Sequence, residues 1–226
     1  MKELFSRAGI ILTDEQEKAF ARYAELLLEY NEKFNLTAIT KIEDIYEKHF
    51  LDSALGSTLF SENAKIIDVG SGAGFPAIPL KIVRNDLKIT MLDSLQKRVG
   101  FLDVVIKELG LTEITAVHAR AEDYAKTPAR ESFDYATARA VAPLNVLAEY
   151  CLPFVKVGGS FVAYKGQNAD AELSDAEAAV RTLGGEEPSL RTYELPSGDK
   201  RAFVQIEKSR LSPAKYPRGQ NKPRLW

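Results

Sequence analysis

The spacing of apolar and polar positions changes character once along this chain. Up to about residue 60 it follows a helix, and from Lys65 onward short apolar runs alternate with helical stripes. Thr13-Asp14-Glu15-Gln16 has the form of a capping box, with Thr13 as N-cap and Gln16 at N3. Phe20, Tyr23, Ala24, Leu27 and Tyr30 then recur at helical spacing and make one apolar stripe. A second stretch, Ile42 to Leu59, carries Ile45, His49, Asp52 and Ser53 and also reads as helical. No flexible linker follows, so residues 1–62 are expected to form a helical cap on a sheet.

The alternating part predicts strands and helices in turn. Lys65 to Val69 reads as a buried first strand, followed by a helix over Ala77 to Val83. Leu87 to Leu92 is a second strand ending in Asp93. Ser94 is placed to cap the next helix, with Leu95, Val99, Leu102, Ile106 and Leu109 on one face and Gly110 as the stop. Ile114 to His118 and Phe133 to Ala138 are the third and fourth strands, the latter followed by Pro143 and a helix through about Val155. Gly158-Gly159 is expected to turn the chain into a fifth strand, Ser160 to Tyr164. Leu190 to Leu195 and Ala202 to Glu207 flank Pro196-Ser197-Gly198-Asp199, a hairpin signal. The pattern predicts an α/β fold over residues 63–208: a mostly parallel sheet with one antiparallel edge. Residues 209–226 form a tail.

Composition narrows the classes. A chain of 226 residues with 45% hydrophobic and 27% charged residues can bury a globular core. No apolar run reaches membrane-span length, and Met1-Lys2-Glu3 does not open a signal peptide, so a cytoplasmic protein without a membrane partner is expected. The single cysteine, Cys151, excludes an internal disulfide and a cysteine-rich metal site. The net charge of −2 is unevenly spread. After Glu207 there is no acid, while Lys208, Arg210, Lys215, Arg218, Lys222 and Arg224 are basic.

The candidate chemistry starts at Asp68-Val69-Gly70-Ser71-Gly72-Ala73-Gly74-Phe75-Pro76. Glycine is required where a backbone takes positive φ or lies against a ligand, and a turn at the end of a first strand is where α/β sheets bind nucleotide-like molecules. A dinucleotide fingerprint needs G-x-G-x-x-G, but here Phe75 holds the third position and the glycine falls one residue early, at Gly74. A pyrophosphate gains nothing from a carboxylate at Asp68; an amine-bearing or cationic ligand does. D-x-G-x-G-x-G resembles motif I of the S-adenosylmethionine-dependent methyltransferases. Asp93, 23 residues beyond Gly70, can accept two hydrogen bonds from a ribose diol, or serve as a helix-capping acid. Ala121-Glu122 can frame an adenine.

Larger blocks extend the likeness. Tyr30-Asn31-Glu32-Lys33-Phe34-Asn35-Leu36-Thr37, His49-Phe50-Leu51-Asp52-Ser53, the glycine turn and Leu92-Asp93-Ser94-Leu95-Gln96-Lys97-Arg98 occur in order. Ala138-Arg139-Ala140, Tyr164-Lys165-Gly166 and Lys215-Tyr216-Pro217-Arg218 follow. Together they resemble the small-subunit ribosomal RNA guanine-N7 methyltransferase family (RsmG, or glucose-inhibited division protein B) over nearly the whole chain. The resemblance implies a Rossmann-like methyltransferase domain with an N-terminal helical extension, and a bacterial origin. It implies S-adenosylmethionine as donor, no metal, and a guanine in the decoding-region loop of 16S rRNA as target, in naked RNA or in the 30S ribosomal particle. It implies cofactor contacts at Gly70, Phe75, Asp93, Ala121, Glu122 and Arg139. With Asp68, Gly72, Gly74, Ser94 and Leu95, these make up the candidate cofactor set.

The target class agrees with what the chain lacks. Guanine N7 has an in-plane lone pair and no proton, so its attack on a methyl carbon needs alignment and desolvation but no general base. An exocyclic amine target usually comes with an Asn/Asp-Pro-Pro-aromatic turn after the fourth strand, where this chain has Ala138-Arg139-Ala140-Val141-Ala142-Pro143. A pyrimidine C5 target needs a nucleophilic thiol, and Cys151 reads as an inert thiol inside a helix. Arg139 and Lys165 are the candidate positioning residues: Arg139 toward the cofactor carboxylate or the RNA, Lys165 toward phosphate or the guanine edge. The tail cations Lys215, Arg218, Lys222 and Arg224, interleaved with Tyr216 and Trp226, suit phosphate contact and base stacking. Methyl transfer to another RNA, a protein or a small molecule remains open from the residues alone, and a nucleotide-dependent oxidoreductase is disfavoured by the glycine spacing.

Overall fold

The computed structural model describes residues 1–140 and 142–219. Its strands are β1 Lys65–Val69, β2 Lys88–Asp93, β3 Ile114–His118, β4 Phe133–Arg139, β5 Val155–Gly166, β6 Ser189–Glu194 and β7 Lys200–Glu207. They form one seven-stranded sheet in the order β3-β2-β1-β4-β5-β7-β6. The β1/β4, β2/β3 and β4/β5 pairs are parallel, and β7 runs antiparallel to both β5 and β6. This is the expected Rossmann-like arrangement with a C-terminal antiparallel hairpin. The helices are α1 Lys2–Arg7, α2 Asp14–Phe34, α3 Ile42–Asp44, α4 Asp52–Ala54, α5 Ala77–Val83, α6 Gln96–Glu108, α7 Ala121–Tyr124, α8 Leu144–Cys151 and α9 Ala169–Thr182.

Two compact units make up the chain. The first is Met1–Ala64 with Ser71–His118. Its α2 starts at the expected capping box: Gln16 N donates to Thr13 Oγ1 at 3.2 Å and Thr13 N donates to Gln16 Oε1 at 2.9 Å. The α2 stripe buries Phe20, Tyr23, Ala24 and Leu27, with Leu26 added, while Tyr30 stays half-buried. Aromatic rings fill the space beneath: Phe20 lies 5.2 Å from Phe5 and 5.1 Å from Phe50, and Tyr23 stacks on Phe50 at 4.9 Å. Residues 42–59 are helical but not uniformly so. A π-helix over Ile45–Leu51 separates α3 from α4, and a 3-10 turn, Leu55–Leu59, ends the run. The wider turn brings Ile45 and Phe50, five apart, both fully inside.

Ser94 does not cap α6. The N-cap is Leu95, 43% exposed, with no side-chain cap; Asp93 Oδ1 instead accepts from Leu95 N at 2.9 Å, a local bond that sets the entry to the helix. The buried face of α6 is Val99, Phe101, Leu102 and Val105; Ile106 and Leu109 are half-buried.

The second unit is Lys65–Gly70 with Ala119–Trp226. Gly158-Gly159 does not turn the chain. β5 begins at Val155 and runs through both glycines, while its register with β4 shifts between Phe133↔Val155 and Tyr135↔Ser160. That bulge is why glycines are needed: Gly158 has φ +85, and a Cβ on Gly159 would run into the Asp134 carbonyl. α8 accordingly ends at Cys151, with a 3-10 turn, Leu152–Phe154, before β5.

Candidate functional site

In the first unit the glycine turn is built from the backbone outward. Its glycines have φ values of +59 at Gly72 and +98 at Gly74, and Gly70, which closes β1 in the second unit, has +77, all in the left-handed region. Gly74 N and Phe75 N both donate to Ser71 O, at 2.7 and 3.1 Å, and Ser71 N donates to Leu92 O at 3.2 Å. The Phe75–Pro76 bond is cis. Asp93, with its side chain 2% exposed, faces this turn: its Oδ2 accepts from Gly72 N at 2.9 Å, and Arg98 approaches to 3.5 Å. A carboxylate offers about four lone-pair directions, so two main-chain donors leave acceptor capacity for a diol. The donor set therefore fits a ribose.

Helical residues hold the same turn from behind. The Tyr23 hydroxyl donates to the Ala73 carbonyl. A Cβ at Gly74 would lie 2.5 Å from Ile78 Cδ1 and 2.8 Å from the Tyr23 hydroxyl. The His49 ring stacks on Phe75 at 4.4 Å and 20°, and its Nε2 is 2.8 Å from Thr37 Oγ1. Both Thr37 and His49 belong to the sequence blocks singled out above, and His49 sits on the π-helix, a feature that recurs at functional sites. Tyr23 shows only as a core residue of the α2 stripe, because periodicity reports burial and not the hydroxyl at the ring's tip. Ser94 and Leu95 are placed by the strand end; the Ser94 carbonyl is 3.1 Å from His118 Nε2.

In the second unit β1 and β4 lie side by side where strand order reverses, the place where α/β sheets bind ligands beyond the strands' carboxyl ends. Asp68, fully buried on β1, accepts from Thr137 Oγ1 of β4 at 3.0 Å. Cys151 is fully buried, and burial together with the Asp68 charge pushes its thiol pKa well above the ordinary value. Arg139 ends β4, and Ala140 follows at φ +56, an unusual conformation for a residue with a Cβ. Ala121 and Glu122 open α7, with Glu122 7% exposed.

Two of the candidate cations are engaged in internal pairs. Lys165 has a side chain only 8% exposed; its Nζ donates to Glu172 Oε2 at 2.7 Å and to Ala142 O at 3.0 Å. Glu172 also accepts from Leu144 N at 2.6 Å. Lys165 thus ties the segment after β4 to α9, and burial of its charge is matched by that pairing. Arg218 is likewise engaged: its Nε and main-chain N donate to Glu149 Oε1 at 2.9 and 2.8 Å, and Nη2 pairs with Oε2. The segment before it is docked too. Lys208 Nζ, fully buried, donates to Glu131 Oε1 and Leu152 O, both at 2.7 Å, and burial lowers its pKa. Arg130 donates to the carbonyls of Ser212, Pro213 and Tyr216. Charge counting along the sequence missed this, since Glu131 and Glu149 lie far away in the chain. Lys215 is exposed; Lys222 and Arg224 lie outside the described residues.

Among the described residues, no helix is long and apolar enough to cross a membrane, and no group of three or more His, Cys, Asp or Glu is placed to hold a metal ion. A solved structure of M. jannaschii TYW2 in complex with AdoMet matches with a TM-score of 0.56 at 15% identity, covering 71% of this chain and 75% of that one. Closer likeness is in sequence. The ribosomal RNA small subunit methyltransferase G of Leuconostoc citreum is 51% identical over 221 residues, 96% of this chain and 92% of the relative. Its counterpart from Lactococcus lactis is 47% identical over 218 residues, 95% of this chain and 92% of the relative. The family model described as GidB, rRNA small subunit methyltransferase G, matches residues 16–201, and with these near full-length relatives it shows that the chain belongs to that family.

Proposed function

We propose that this protein transfers the methyl group of S-adenosylmethionine to N7 of a guanine in the decoding-region loop of 16S rRNA, in the cytoplasm. The observation that carries the ring-nitrogen target is Cys151: the only cysteine is sealed inside the fold with a raised pKa, so no nucleophilic thiol serves pyrimidine chemistry. The loop after β4 also lacks the turn associated with amine methylation.

The cofactor supplies an electrophilic methyl carbon on a sulfonium. In the first unit, Asp93 is proposed to accept the ribose hydroxyls, while Gly72, Gly74 and Phe75 give a close backbone and an apolar wall, with Ser94 and Leu95 at the strand end. In the second unit, Asp68, Gly70, Ala121, Glu122 and Arg139 are the proposed contacts. No residue is needed as a base, because guanine N7 carries no proton. The chain's task is to exclude water and align the acceptor lone pair, and such alignment alone supplies up to several kcal/mol, on the order of 7–11 in favourable intramolecular cases.

The test uses tritiated S-adenosylmethionine with naked 16S rRNA and with 30S particles, followed by nucleoside identification. Label recovered in 7-methylguanosine is expected. Label in another nucleoside would refute the ring-nitrogen reading, and label in protein alone would refute the RNA reading.

A further inference from the structure

We propose that a cavity of about 350 Å³ in the second unit is a phosphate-binding subsite for the ribosomal RNA strand. This rests on the RNA reading above. The cavity opens between the α7 region, with Lys126 and Arg130, and the docked C-terminal segment, with Lys215, Tyr216 and Arg218. Two stretches of chain more than eighty residues apart thus bring four cations to one concavity, with Glu122 as the one acid on its wall.

The charges on this wall are not equivalent. Arg218 is held by Glu149 and acts as a strut. Lys126 pairs with Asp123 at 2.8 Å, but both side chains are mostly exposed (70% and 63%), and such a surface pair exchanges readily for a better anion. Arg130 hydrogen-bonds main-chain carbonyls, and among the described residues no ion pair with a carboxylate holds it. Glu131 next to it is taken by Lys208 and by Ser212 N. Lys215 lies with its Nζ 5.3 Å over the Tyr216 ring, exposed to solvent. Among the described residues, Arg130 and Lys215 are therefore in no ion pair, and Lys126 can join them against the single acid Glu122. Buried Tyr216 fixes the floor, with the Arg218 guanidinium 5.6 Å from its ring. A concavity with surplus cationic charge on a rigid floor fits a phosphodiester, whose recognition by Lys and Arg does not depend on base sequence. An RNA strand is favoured over a small anion because the cations continue past the cavity in sequence, at Lys222 and Arg224, with no acid after Glu207.

The experiment compares the full-length protein with Lys126→Gln/Lys215→Gln and with a control pair of equal charge change, Lys18→Gln/Lys107→Gln, both exposed positions outside the cavity. Binding of labelled 16S rRNA is measured across salt concentrations, and cofactor binding by titration with S-adenosylhomocysteine. The cavity pair is expected to lower RNA affinity about tenfold and to flatten the log–log salt slope by about 2, one for each lysine, with cofactor affinity unchanged. The control pair is expected to bind as the unmodified protein does. Equal effects from both pairs, or no effect from either, would overturn the subsite. Failure of the unmodified protein to methylate rRNA would overturn the functional reading instead, whatever the slopes show.

Discussion

Replacing Gly74 by alanine tests whether the turn is as tightly held as its geometry indicates. The position has φ +98, where a residue with a Cβ is strained by about 1–3 kcal/mol. The added methyl would also sit 2.5 Å from Ile78 Cδ1 and 2.8 Å from the Tyr23 hydroxyl. Neither neighbour can retreat cheaply. Ile78 is fully buried, and Tyr23 is fixed by its bond to the Ala73 carbonyl and its stack on Phe50. Overpacking of this kind adds about 1–3 kcal/mol, so Gly74→Ala is expected to lose at least about 2 kcal/mol. At this chain length that corresponds to a fall in Tm of roughly 4–8 °C. Urea unfolding followed by circular dichroism measures it, with Gly100→Ala as comparison: Gly100 lies in α6 with nothing within 4 Å, and alanine there is expected to stabilise by about 0.5–1 kcal/mol. A Gly74→Ala loss below about 0.5 kcal/mol would show that the turn yields and would refute a rigid cofactor cradle.

Three more outcomes are expected. Asp93→Asn keeps the side chain's size but removes its charge, and calorimetry should show cofactor affinity reduced about 10- to 100-fold, the range for losing hydrogen bonds to a charged group; unchanged affinity would rule out the ribose role. Asp86 accepts from Arg84 Nε at 2.7 Å, and that guanidinium holds its carboxyl well below the usual range. Because the folded pKa is the lower one, its contribution is complete above about pH 4 and is lost as pH falls further, so Asp86→Asn should flatten the acid limb of the stability profile. An unaltered limb would refute this. Arg218→Ala leaves Glu149, 6% exposed, without its guanidinium, loosening the docked segment by about 3–5 kcal/mol. Amide exchange at Tyr216 and Arg218 should accelerate while β4 and β5 stay protected; equal protection in both proteins would refute the strut.

The sheet was legible in sequence because its signals are local. An apolar run with an acid two places before a glycine needs no distant partner to be read, and neither does the Thr13/Gln16 box. Failures came where a residue's role is fixed by something far along the chain. Gly158-Gly159 looks like a turn, yet its meaning depends on the Asp134 carbonyl across the sheet. Ser94 is a good cap in isolation, but Asp93 is one residue earlier and already fixed at the strand end by Gly72 N and Leu95 N. The π-helix at Ile45–Leu51 breaks the period that the reading assumes.

Charge is where sequence and structure diverge most. A cation near a ligand-binding edge and a cation inside a buried pair look identical in a string of letters. Lys165 and Arg218 are each held in an ion pair, with Glu172 and Glu149 as the acids. The same pairing logic is what leaves Arg130, half-buried, and Lys215, exposed, as the surplus. Once each carboxylate is assigned to the cation it touches, the basic tail ceases to be a uniform run. Part of it is structure, and the remainder is the charge proposed to meet an RNA. That division predicts that neutralising Arg218 and neutralising Lys215 fail differently, the first by loosening the segment and the second by weakening RNA binding alone.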